Sequence, residues 1–179
     1  MSSYPEPSSN PPKQEMVYFP RMSQPPPPEY RQFRRVLWTG LYSQVVLMTV
    51  PVNGDIGEEA CTPTLKHQLH DHANLVDQTH TVDQILTFTS GTGLAQVGGK
   101  EQEVKAGDMV IVPANTKHQF LNTGNDPLTL YTVYSPAEHA TKTVHLSKEE
   151  GEKEEENGID VPPKWSQLSK SENEKAVQL

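Results

Sequence analysis

The sequence predicts an all-β fold, a sandwich or barrel spanning residues 33–146, flanked by a proline-rich arm and an acidic tail. Three observations predict it. Runs such as "YSQVVLMTV" and "LTLYTVY" are dense in β-branched and aromatic residues. Turn signals separate the runs at short intervals: "VNGD", "SGTG", "VGGKEQ", "KAGD" and "NTGNDP". Within the runs no helical period competes with the strand pattern.

Residues 1–32 form the first segment. Nine of the sixteen prolines fall before residue 31, ending in "QPPPPEY". Such a composition favours solvated, polyproline-like backbone, so a disordered arm is expected. Within it, "MVYFP" is apolar enough to serve as a strap against the domain. "RRVLWTGLYSQVVLMTV" then supplies β structure suited to a sheet edge. "DQILTFTSG" places Ile85 and Thr87 on one face, Leu86 and Phe88 on the other. "VGGKEQ" reads as a hairpin turn into "EVKAGD", and "DMVIVPA" as a short strand stopped by Pro113. In "LYTVYSPAEH", the spacing of Tyr131 and Tyr134 puts them on opposite faces, so at most one lines an interior. His139 follows the last strand, either on the surface or at a barrel mouth. From residue 147 the chain is acidic and polar. Ser147 with Glu149 and Glu150 fits a capped helix start, with disorder expected beyond it and "VPPKW" as a docking point for Trp165.

The net charge of −8 disfavours nucleic acid and anionic membrane surfaces as partners. One cysteine, Cys61, rules out an internal disulfide framework. Residues 1–15 show neither a basic nor an apolar leader pattern, and a cytoplasmic location is expected.

"GDMVIVPANTKHQFLN" gives Gly107, Pro113, His118 and Asn122 at fixed offsets. It resembles the second motif of the cupin superfamily, G-x5-P-x-G-x2-H-x3-N, with Asn115 in place of the second glycine. Asparagine tolerates the positive φ that such a turn demands. "HTVDQILTFTSG" resembles the first motif from its second histidine onward. His80 stands at the histidine, Gln84 at the usual glutamate, and Gly91 at the closing glycine. The resemblance covers about residues 34–146. It also extends to small single-domain cupins often labelled mannose-6-phosphate-isomerase-like. It implies a double-stranded β-helix, or jelly-roll barrel, with a metal held inside, and a homodimer in which the edge segment buries Trp38 between subunits.

The first motif is interrupted. The position two residues before His80 is Gln78, where a ligand is expected. Without residues 60–78 the chain would read "NGDIGEE-TH-TVDQ", placing Glu59 there, and residues i and i+2 of a strand share a face. A loop of that length inside one strand is unusual. It reads either as a genuine insertion or as a retained intron. The second reading is permitted by donor, branch-point and acceptor codons available to Ala60-Cys61, Ala73-Asn74 and Gln78. If the insertion is genuine, His70 and His72, with His67, offer a competing chelating set or an exposed loop with incidental histidines.

The resemblance thus implies the ligands Glu59, His80, Gln84 and His118, or Gln78 instead of Glu59. Two imidazoles with oxygen donors suit a divalent transition metal: Fe, Mn, Ni, Co or Zn. Two functions are expected from it. One is a metal-binding cupin acting on or binding a small molecule, of dioxygenase, isomerase or decarboxylase type. The other is a non-catalytic or degraded binding cupin whose metal site the insertion disrupts. Basic residues are scarce on the strands, which counts against a sugar-phosphate isomerase.

Overall fold

The computed structural model describes residues 4–57 and 81–177. Ten strands are found among them. They are β1 (Arg34–Thr39), β2 (Gln44–Val50), β3 (Asp55–Gly57), β4 (Asp83–Ser90), β5 (Thr92–Val97), β6 (Lys100–Lys105), β7 (Met109–Val112), β8 (His118–Asn122), β9 (Leu128–Ser135) and β10 (Val144–His145). All pairings are antiparallel. A six-stranded sheet runs β10-β1-β2-β9-β4-β7 and a four-stranded sheet runs β3-β8-β5-β6. The all-β jelly-roll expectation is met. No helix among the described residues is long and apolar enough to cross a membrane.

Alternation along the strands sets the two faces of the larger sheet. Gln84, Leu86 and Phe88 of β4 point inward, and their neighbours Ile85 and Thr87 are only partly buried. Across the register, Gln84 pairs with Tyr134, and Tyr134 pairs in turn with Gln44. Deeper in the barrel Leu86, Phe88, Val46, Met48, Leu128 and Leu130 meet Phe120 and Ile56 from the smaller sheet, forming one core. Tyr131 lies on the outer face, paired with Leu47. One tyrosine of the pair therefore lines the interior, as their spacing requires.

Turn chemistry matches the sequence closely. Gly98 and Gly99 both adopt positive φ, +55° and +78°, in the hairpin between β5 and β6. Asn115 sits at φ +60°, the left-handed conformation its place in the motif predicts.

The two terminal segments are packed against the barrel, where the sequence composition suggests disorder. In the arm, Tyr4, Phe19, Met22 and Tyr30 cover Leu37, Leu47, Val45 and Tyr131 on the outer face. Three aromatic rings spread among prolines suffice to bury that apolar patch, since stiff backbone loses little entropy on docking. The tail forms α1 (Lys148–Glu156) and α2 (Lys170–Val177). Ser147 caps α1 as expected, its side chain accepting a hydrogen bond from the Glu150 N–H. α1 lies between the two sheets at their open edge. Lys148 Nζ reaches Asp55 Oδ2 of β3 at 2.8 Å, and Arg34 of β1 pairs with Glu155. Gly151 permits this approach: a Cβ there would lie 2.9 Å from His145 Nδ1. Beyond α1, the Gln167 amide donates to the Ala137 carbonyl at 2.7 Å and Trp165 is half-buried.

Candidate functional site

Of the four residues the motifs select, Gln84 and His118 are described, and both face the barrel interior. Glu59 and His80 lie outside the described residues. So do Gln78, Cys61, His67, His70 and His72, together with the whole of segment 60–78.

His118 opens β8 directly after the Asn115 turn, which aims its side chain inward and leaves it 4% exposed. Its Nδ1–H donates to the carbonyl of Thr116 at 2.8 Å. That bond assigns the ring lone pair to Nε2, the tautomer in which an imidazole serves as a metal ligand. Phe120 packs beside the ring at 6.0 Å between centroids. Phe120 in turn touches Phe88, which shares the inward face of β4 with Gln84. The two candidate ligands thus reach the same interior from opposite sheets.

Gln84 is buried. Its Nε2 donates to the Tyr134 hydroxyl at 3.1 Å, and its Oε1 has no hydrogen-bond partner. An unpaired buried carbonyl oxygen is costly unless something binds it. A cation ligated by that oxygen would satisfy it, so the donor set fits a metal. Burial raises the pKa of Tyr134, which keeps the phenol protonated beside Gln84.

A second polar cluster lies at the edge closed by α1, and the sequence gives little sign of it. His139 is 1% exposed, so it is not a surface residue. Its Nδ1–H donates to Asp160 Oδ2 at 2.7 Å. Asp160 Oδ1 also accepts from the Thr143 hydroxyl and from the Ala140 N–H. Arg34 Nη1 bonds Glu155 and lies 3.9 Å from Asp160. His145 accepts from Arg34 at Nδ1 and donates to Glu154 from Nε2, at 3.4 and 3.1 Å. Burial would raise the Asp160 pKa, but the hydrogen bonds from His139, Thr143 and Ala140 outweigh it and hold the carboxyl at about 2. Burial, reinforced by the Arg34 charge, lowers the pKa of His139 despite its acidic partner. The dyad is therefore a neutral imidazole on a carboxylate.

His139, Glu155 and Asp160 bring ligand-capable atoms within 4.8 Å of one another. The guanidinium of Arg34 already supplies the positive charge there. A cation would have to displace it, so this cluster reads as an ion-pair network. Of its acidic and imidazole members only His139 stands out in the sequence; Asp160 and Glu155 sit in an acidic run that looks solvated.

A family model described as "Cupin domain" matches residues 67–134. The uncharacterized protein YrkC of Bacillus subtilis is 36% identical over 122 residues, covering 65% of this chain and 56% of that protein. The uncharacterized protein L612 of Acanthamoeba polyphaga mimivirus is 34% identical over 112 residues, covering 60% of this chain and 58% of the other. The chain thus spans less than two-thirds of the length of these curated relatives. The crystal structure of BH2720 from Bacillus halodurans superposes with a TM-score of 0.57 at 36% identity, covering 69% of this chain and 84% of that one.

Proposed function

The chain belongs to the cupin superfamily, and from that premise we propose that its barrel binds a divalent transition metal and a small molecule beside it. The proposed ligands are Glu59, His80, Gln84 and His118. The observation that carries the proposal is Gln84 Oε1, a buried oxygen on the inward face of β4 left without a hydrogen-bond partner. When bound, the metal would supply Lewis acidity and open positions for an enolate, carboxylate or dioxygen. The protein's own contribution is orientation. Thr116 fixes the imidazole of His118 and Tyr134 fixes the amide of Gln84, while the Phe88, Phe120 and Leu86 side chains keep water out.

The reaction class is that of a cupin acting on a metal-chelating small molecule, of dioxygenase, isomerase or decarboxylase type. Sugar phosphates fit poorly. Arg34, the basic side chain buried at the α1 edge, is committed to Glu155 and Asp160. A binding-only barrel is the second reading, favoured by the neutral amide of Gln84, which holds a cation less firmly than a carboxylate would. We further propose that the barrel unit is residues 33–146 and that it pairs into a homodimer.

Metal analysis of the purified chain beside a His118→Ala control tests the main reading. Near-stoichiometric metal that the substitution removes supports it. Equal and negligible metal in both, even after loading with Fe(II), Mn(II) or Zn(II), overturns it.

A further inference from the structure

We propose that His139, aligned by Asp160, is a proton acceptor for the small molecule in the barrel. This rests on the reading that the barrel takes such a ligand, and it assigns the tail a part in the site.

One ring nitrogen of His139 is unmet. Nδ1 of His139 is used by Asp160, and Nε2 is buried with no hydrogen-bond partner. Most buried ring nitrogens are satisfied, because an idle buried acceptor destabilises the fold. Here the bond to Asp160 fixes the proton on Nδ1 and leaves a basic lone pair on Nε2.

The ring is also held firmly. The side chain of Gln44, itself fully buried, clamps the backbone on which His139 sits. Gln44 Oε1 accepts from the N–H groups of Glu138 and His139 at 3.3 and 3.0 Å, and its Nε2 donates to the His139 carbonyl at 2.8 Å. In register, Gln44, Tyr134 and Gln84 are three adjacent inward positions on neighbouring strands. The His139 ring meets the ring of Tyr134 edge-on, 5.2 Å between centroids at 84°. Tyr134 therefore has His139 against its ring and Gln84 on its hydroxyl, and His139 offers one unpaired acceptor. Thr132, two residues before Tyr134 on the same strand face, adds a second buried polar atom without a partner.

Such a pair suits a ligand with weakly acidic O–H groups, an enediol or vicinal phenol, or a carbon acid beside a carbonyl. The proton passes from the ligand to Nε2, and its electron pair stays behind as the enolate or phenolate. The imidazolium formed is balanced by Asp160, as in other oriented His–carboxylate pairs. The charged and titratable groups around the dyad are Arg34, His145, Glu154 and Glu155, with Tyr134 on the ring side.

The test uses the full chain with 15N-labelled histidine, stripped of metal by chelator, and catechol as the probe. Imidazole 15N spectra near neutral pH should show His139 protonated on Nδ1 and bare on Nε2. Added catechol should shift Nε2, and Asp160→Asn should weaken that titration by about tenfold or more. A proton on Nε2 in the free protein overturns the proposal. So does a Nε2 resonance unmoved at every catechol concentration, or an Asp160→Asn chain that remains folded and titrates like the original. Because metal is absent throughout, failure here is separate from failure of the metal reading, which His118→Ala metal content decides.

Discussion

Asp160 Oδ2 lies 2.7 Å from Nδ1 of His139, and neither side chain has more than a trace of solvent contact. Both groups titrate below their ordinary values, from 6.5 downward for His139 and from 3.8 to about 2 for Asp160. The unfolded chain therefore binds more protons than the folded one, and stability rises with pH across these windows. The His139 contribution is complete above about pH 6.5 and is lost as pH falls below it. That of Asp160 follows between 3.8 and about 2. Urea midpoints should decline from pH 8 to pH 5, and His139→Gln should remove that first part of the decline.

Arg34 is the positive charge among Glu155, Asp160 and His145, in a region with little solvent. Replacing it with methionine leaves two carboxylates facing each other without compensation. Arg34→Met should cost about 3–5 kcal/mol, read from chemical denaturation at pH 7. Arg34→Met combined with Glu155→Gln should recover part of the loss, since the double change removes one of the stranded charges.

Gln84 gives the proposed metal a neutral oxygen. A carboxylate at that position adds a full charge and a stronger donor. Gln84→Glu should raise metal affinity by about tenfold or more, measured by competition against a chelator. Unchanged affinity would place the metal away from β4.

Asn115 holds φ at +60° in the turn before His118. Glycine should be accepted there with little change in melting temperature. Asn115→Val forces a β-branched side chain into the left-handed region and should cost about 1–2 kcal/mol. It should also lower metal retention, because the turn aims His118.

Much of the barrel is legible in the sequence because its signals are local. Gly107, Pro113 and Asn115 each impose a backbone conformation within a few residues, and His118 follows from them. Asn122 shows how tight that logic is. Its Nδ2 donates to the carbonyls of Val50, Pro51 and Asp126, and its Oδ1 accepts from the Gly124 N–H, tying the end of β2 to the loop after β8 with one amide. The His139–Asp160–Arg34–Glu155 cluster is not legible in that way. Its members come from a strand start, a loop and two parts of an acidic run, and no period or spacing joins them. Glu155 looks like one more solvated glutamate until a buried arginine is placed against it. The arm shows the same limit: its prolines dominate the composition, while Tyr4, Phe19 and Tyr30 do the packing.

The closure of the barrel edge by α1 has a consequence for how the chain is made. Arg34 meets Glu155 across 121 positions of sequence. While the ribosome is still adding the tail, the nascent barrel holds Arg34, His139 and His145 without their acidic partners. Its last polar layer can lock only once Glu154, Glu155 and Asp160 have been added and α1 has docked.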